Sequence, residues 1–172
     1  MAQKEKAIAI GEIGLDYYRM YTPKEKQQEV LKKQIQIARE LTLPIIIHNR
    51  DAHDDIYKVL KEEKAEEISG VFHSFNGDMD FLESILALNY HVSFTGPVTF
   101  KNANYNKLIE RVPIEQLLLE TDSPFLAPVP FRGKRNEPSY VRYIAEKISQ
   151  VKGMAVDKLA EITSENAKSL FR

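Results

Sequence analysis

Leu43-Pro44-Ile45-Ile46-Ile47-His48-Asn49-Arg50 is the stretch that decides the fold. A proline closes the helical pattern before it, three β-branched residues follow, and the run ends in an imidazole. An apolar run this short and continuous reads as a strand buried on both faces, as in a parallel sheet covered by helices. The pattern recurs along the chain. Ala7 to Leu15 is the first such strand, with Glu12 and Asp16 near its end. Ile68 to Phe75 is the third and contains His73. Tyr90 to Gly96 is the fourth, and Leu117 to Leu119 the fifth, followed by Glu120 and Asp122.

Helical patterns separate these runs. Thr22-Pro23-Lys24-Glu25 reads as a helix start, with Thr22 as the cap and Pro23 at the first helical position. Val30, Leu31, Ile35, Ala38 and Leu41 then recur near helical spacing. Asp51 is expected to cap a helix carrying Ile56, Val59 and Leu60, and Asp78 one carrying Phe81, Leu82, Ile85 and Leu86. A weaker helix surrounds Leu108 and Ile109, Pro138 begins another, and a last one runs from Val156 towards Leu170. Strand and helix in alternation predict an α/β fold.

The 172 residues amount to about one domain, so residues 1–172 are expected to form one. Twenty-four basic against 25 acidic residues give a net charge of −1. That balance excludes a strongly basic nucleic-acid coat and an acidic solvating tail, while leaving room for a local basic patch. The absence of cysteine excludes disulfides, thiolate zinc sites and cysteine nucleophiles. No apolar run approaches the roughly 20 residues of a membrane helix, and Met1 to Lys6 are polar. A cytoplasmic protein with no membrane partner is the expectation.

The strand ends carry the chemistry. Glu12 and His48 are 36 residues apart and His48 and His73 25 apart, each about one strand-helix unit. From His73 to Asp122 is 49, about two units. Equivalent positions on successive parallel strands point to one rim, at the C-terminal strand ends, where such folds bind ligands. Imidazoles and carboxylates converging there suit a divalent metal able to activate water or polarise a phosphoryl or carbonyl oxygen. Each residue alone has a plainer reading. A strand-end His is commonly a hydrogen-bonded core residue, Asp122 before Ser123-Pro124 a turn former, and Glu120 the partner of a neighbouring Arg. Four such residues on four strand ends favour a site. His53 and His91 lack this placement.

Ser123 to Asn136 is the longest irregular stretch, and loops of that length are usually functional or disordered. Within it, Pro130-Phe131-Arg132-Gly133-Lys134-Arg135-Asn136 sets three positive charges in four residues behind an apolar segment. This reads as a phosphate-binding loop, with forked hydrogen bonds from Arg and a stacking face on Phe131. A solvated surface loop is the competing reading.

Six stretches, in order, resemble the TatD family of metal-dependent deoxyribonucleases in the amidohydrolase superfamily. They are Gly11-Glu12-Ile13-Gly14-Leu15-Asp16-Tyr17-Tyr18, Leu43 to Arg50, Val71-Phe72-His73-Ser74-Phe75, Ser93-Phe94-Thr95-Gly96, Leu119-Glu120-Thr121-Asp122-Ser123-Pro124 and Arg132-Gly133-Lys134-Arg135-Asn136-Glu137-Pro138. The resemblance implies a (β/α)8 TIM barrel with two divalent metal ions (zinc, magnesium or manganese) and cleavage of DNA phosphodiester bonds by metal-activated water. By it, Glu12 bridges both metals, His48 and His73 bind one, and Asp122 binds the other and helps to activate water. Glu12 and Asp122 are thus the expected catalytic carboxylates. Arg50, Arg132, Lys134 and Arg135 are the expected substrate-binding residues, and single-stranded DNA or duplex ends the expected substrate.

One part of the family pattern is missing. The His-x-His motif of the first strand has no counterpart, because no His precedes His48, and five strand patterns stand where the barrel has eight. The expectation is an N-terminally incomplete barrel whose second metal position is weak or empty and whose activity is reduced or absent. Its edges, Ala7 to Leu15 and Leu117 to Glu120, are then expected to self-associate or to be completed by an N-terminal segment of a longer polypeptide. The alternatives are a non-catalytic fragment that self-associates through open sheet edges, and an amidohydrolase acting on a carbonyl substrate.

Overall fold

Every strand runs parallel to its paired neighbour and is flanked by helices, in an α/β architecture seen here in a computed structural model that describes residues 6–171. Met1 to Glu5, most of the polar opening segment, lie outside the described residues, as does Arg172. The order is β1 (Ile10–Asp16), α1 (Lys24–Leu41), β2 (Ile45–Arg50), α2 (His53–Glu62), β3 (Gly70–Phe72), α3 (Met79–Leu86), β4 (His91–Phe94), α4 (Asn106–Arg111), β5 (Leu117–Leu119), α5 (Val141–Lys152) and α6 (Val156–Leu170). These elements group into two compact units, one of the residues through His91 together with the C-terminal end from Leu170, the other Val92–Ser169.

In the first unit, β2 lies between β1 and β3. The expectation of strands buried on both faces holds for β3, which is buried throughout. It fails for β2, where Ile45, Ile47 and Asn49 are buried while Ile46, His48 and Arg50 are half-exposed. Alternation hidden under a run of three isoleucines creates the face on which polar chemistry sits. In β1 the pairing register shifts between Ile10 and Ile13, where three steps on β1 match two on β2. One extra residue re-aims every side chain beyond it. Ile13 and Leu15 are thereby buried, and Glu12, Gly14 and Asp16 share the opposite face. Gly14 is required: its φ is +149°, and a Cβ there would meet the His48 carbonyl at 1.8 Å. The glycine lets β1 and β2 close up beside His48.

The helices bury narrow stripes. Leu31, Ile35 and Ala38 of α1 are fully buried, at helical spacing. Each large aliphatic side chain removed from water contributes about 1.5–3 kcal/mol. Phe72, Phe81 and Tyr90 add edge-to-face aromatic contacts. Capping followed expectation only in part. Asp78 caps α3, accepting a hydrogen bond from the Phe81 amide at 2.9 Å. Thr22 and Asp51 make no such cap: Pro23 occupies the position before α1, and its carbonyl takes the first amides. Asp51 has φ 55°, which ends β2 in a left-handed turn, and Ala52 precedes α2. Pro44 is not what stops α1 either, since Thr42 already adopts a left-handed conformation.

In the second unit β4 pairs with β5, setting Val92, Ser93 and Phe94 opposite Leu117, Leu118 and Leu119. Asn166 of α6 donates to the carbonyls of Ile114 and Leu117, tying α6 to the start of β5. Ile144 and Ile148 of α5 and Leu159 of α6 are fully buried. The long stretch after β5 is tied down at several points. A Cβ on Gly96 would meet the Leu126 carbonyl at 1.8 Å, so the loop lies directly on that glycine. The Val129 amide donates to Thr99 Oγ1 at 2.9 Å, and the Arg132 guanidinium lies over the Phe100 ring.

Candidate metal centre

Glu12 and His48 stand within β1 and β2, and His73 is the first residue past β3, so three neighbouring strands of the first unit supply the site. One ligand atom from each lies within 4.8 Å of the others. His48 Nδ1 is 3.1 Å from His73 Nε2, and Glu12 Oε2 is 3.4 Å from that same His73 nitrogen. Ser74, directly after His73, and Asp51, directly after β2, both take positive φ and turn the chain there. His73 is almost covered at 9% side-chain exposure, His48 is half-buried, and Glu12 reaches from solvent at 57%.

These residues suit a divalent ion. Ligands bonded at about 2.0–2.1 Å around a tetrahedral zinc sit roughly 3.3 Å apart. The separations of 3.1 and 3.4 Å match that edge. Two imidazoles and one carboxylate also form a donor set with an open fourth position, the pattern of catalytic zinc.

The other nitrogen of His48 is engaged as well. His48 Nε2 lies 3.3 Å from Asp16 Oδ2. A carboxylate behind a ligating imidazole fixes its tautomer and orientation. Asp16 is itself held, since its Oδ1 accepts the amides of Tyr18 and Arg19 and its backbone amide donates to Gln27 Oε1 at 2.8 Å. Burial works to raise its pKa, but the Arg19 amide, His48 and the Tyr18 amide outweigh burial and hold the carboxyl below the usual range. Sequence reasoning named Asp16 as a strand-end residue and gave it no role. The signal was available: Glu12, Gly14 and Asp16 fall at the two-residue period of one strand face.

Arg50 ends β2, with its guanidinium 3.9 Å from the centre of the Tyr18 ring. His53, expected to be ordinary, packs edge-on against Phe81.

Asp122 belongs to the second unit. It lies three residues past β5 with φ 53°, and its carbonyl accepts the Phe125 amide at 2.8 Å. Glu120 Oε1 accepts from the hydroxyl of buried Ser93. Arg132, Lys134 and Arg135 are all exposed. Phe131 does not offer the free stacking face expected of it. Its ring is stacked on Tyr140 at 4.2 Å and meets Tyr143 edge-on, which covers apolar surface that would otherwise face water.

A family model described as TatD related DNase matches residues 1–172. The chain belongs to the TatD-related DNase family. A relative from Bacillus subtilis, named "Uncharacterized metal-dependent hydrolase YabD", is 52% identical across the whole chain, which covers 68% of that protein. One from Pantoea vagans, named "3'-5' ssDNA/RNA exonuclease TatD", is 34% identical, again with 100% of this chain and 68% of the relative covered. Among solved structures, the crystal structure of the TatD homologue YJJV from Escherichia coli K12 superposes with a TM-score of 0.90 at 30% identity. The match covers 97% of this chain and 64% of that one. The chain thus spans about two-thirds of the length of these proteins. The five parallel strands and their helices match the TIM-barrel-like TatD fold. No helix among the described residues is long and apolar enough to cross a membrane.

Proposed function

We propose that this TatD-family chain carries the metal-dependent hydrolase site of a nuclease that cleaves DNA phosphodiester bonds. The observation that carries the reading is the convergence of Glu12, His48 and His73. A divalent ion bound there supplies positive charge that polarises a phosphoryl oxygen and lowers the pKa of water. Glu12 Oε2, His48 Nδ1 and His73 Nε2 hold it, and Asp16 keeps the His48 ring turned so that Nδ1 faces the site. Asp122 is the second catalytic carboxylate: it accepts the proton lost by the attacking water and contributes to a second, weaker metal position. Exposed Arg132, Lys134 and Arg135 neutralise phosphate charge as the strand binds, and Arg50 adds a further cation. The name of the Pantoea vagans relative supports a nucleic-acid substrate.

The test compares a single-stranded oligonucleotide with an ester substrate, with manganese and with a chelator, for the wild type and His73→Ala. The proposal expects slow cleavage of the oligonucleotide that the chelator and the substitution both abolish. Chelator-resistant cleavage, or turnover of the ester alone, would contradict it.

A further inference from the structure

We infer that Asn136 is a positioning residue for Asp122, its buried amide holding the turn that presents that carboxylate. This rests on the proposed role of Asp122. Asn136 closes the run of basic residues, yet it is only 2% exposed while its neighbours from Arg132 to Arg135 face solvent. Its side-chain nitrogen donates to the Thr121 carbonyl at 2.7 Å and to the Phe125 carbonyl at 2.6 Å. Its backbone amide donates to the Pro124 carbonyl at 3.0 Å, and its Oδ1 accepts the Glu137 amide at 2.9 Å. Both donors of the side chain and its acceptor are therefore used.

The bonds bracket Asp122 on both sides in sequence. Thr121 precedes it, while Pro124 and Phe125 follow it. Between them Asp122 sits at φ 53°, a left-handed conformation that is uncommon for residues with a Cβ and that Asp takes more readily than most. Gly96 under Leu126 and Thr99 under Val129 anchor later residues of the loop, whereas the bonds from Asn136 fall within residues 121–125. A primary amide is the only side-chain group of this size that can donate to two carbonyls and accept from an amide together. Aspartate would set a negative charge against two carbonyl oxygens, and serine would serve only one of them.

The test uses the full chain, with amide hydrogen exchange and manganese binding as independent readouts. In Asn136→Asp the Phe125 amide should exchange roughly tenfold faster, as a hydrogen-bonded turn loosens, with Ile144 and Ile148 of α5 unchanged. Manganese affinity should fall as it does in Asp122→Asn, and the double substitution should bind no more weakly than Asp122→Asn alone. Should Asn136→Asp fail to fold, Asn136→Ser, which keeps one donor, should show exchange at Phe125 faster than in the wild type. Unchanged exchange at Phe125, or losses of affinity that add, overturns the inference. Asp122→Asn with wild-type manganese affinity overturns instead the reading of Asp122 as a ligand, and exchange at Phe125 then decides alone whether Asn136 holds the turn.

Discussion

Asp16 Oδ2 lies 3.3 Å from Nε2 of His48, on the side of the ring away from the nitrogen that faces His73. A carboxylate so placed matters to a metal centre and little to folding, because the pair is partly exposed. Asp16→Asn keeps the Oδ1 acceptor for Tyr18 and Arg19 while removing the charge. Affinity for manganese or zinc should fall about 10- to 100-fold with the unfolding midpoint nearly unchanged. Titration calorimetry on both proteins checks this, and equal affinities would leave Asp16 without a part in the centre.

The first unit's core contains a buried phenol whose loss should be felt. Tyr90 is fully buried and its hydroxyl donates to the Ala65 carbonyl at 2.8 Å. Tyr90→Phe leaves that carbonyl without this donor and should cost about 1–2 kcal/mol in urea unfolding. Burial, helped by the Glu66 carboxylate, raises the Tyr90 pKa. The unfolded chain therefore releases this proton first, and stability falls as pH rises above about 10. The fall should be shallower in Tyr90→Phe, and an identical pH profile would show that Tyr90 does not titrate as its burial requires.

The basic loop is testable through salt. Arg132 is partly committed to the ring of Phe100, so Lys134 and Arg135 are the cleaner pair. Replacing both with Ala should weaken binding of a single-stranded oligonucleotide. It should also flatten the plot of log affinity against log salt, by about 0.7 for each phosphate no longer neutralised. A slope equal to that of the wild type would place the loop away from the phosphates.

Much of this was legible in the sequence because strand ends announce themselves chemically. Ile45-Ile46-Ile47 followed by His48 placed an imidazole on a strand, although β2 runs on to Arg50, and the spacings to Glu12 and His73 matched about one strand-helix unit each. What stayed hidden depended on geometry that no short stretch encodes. The extra residue between Ile10 and Ile13, which decides which face of β1 is buried, shows only in the pairing with β2. Phe131 looked available because the sequence does not show Tyr140 folding back onto it. Asn136 looked like the end of a charge run, since its partners at Thr121 and Phe125 come from the far side of the loop.

The metal centre itself is tested by calorimetric binding of manganese and zinc to the wild type, Glu12→Gln, His48→Ala and His73→Ala, with unfolding midpoints measured alongside. A saturable site is expected on the wild type. Each substitution should weaken it at least tenfold, the loss expected when a ligand is removed, while the fold is retained. Binding that is absent from the wild type, or that survives all three substitutions at full affinity, would contradict a metal centre built on Glu12, His48 and His73.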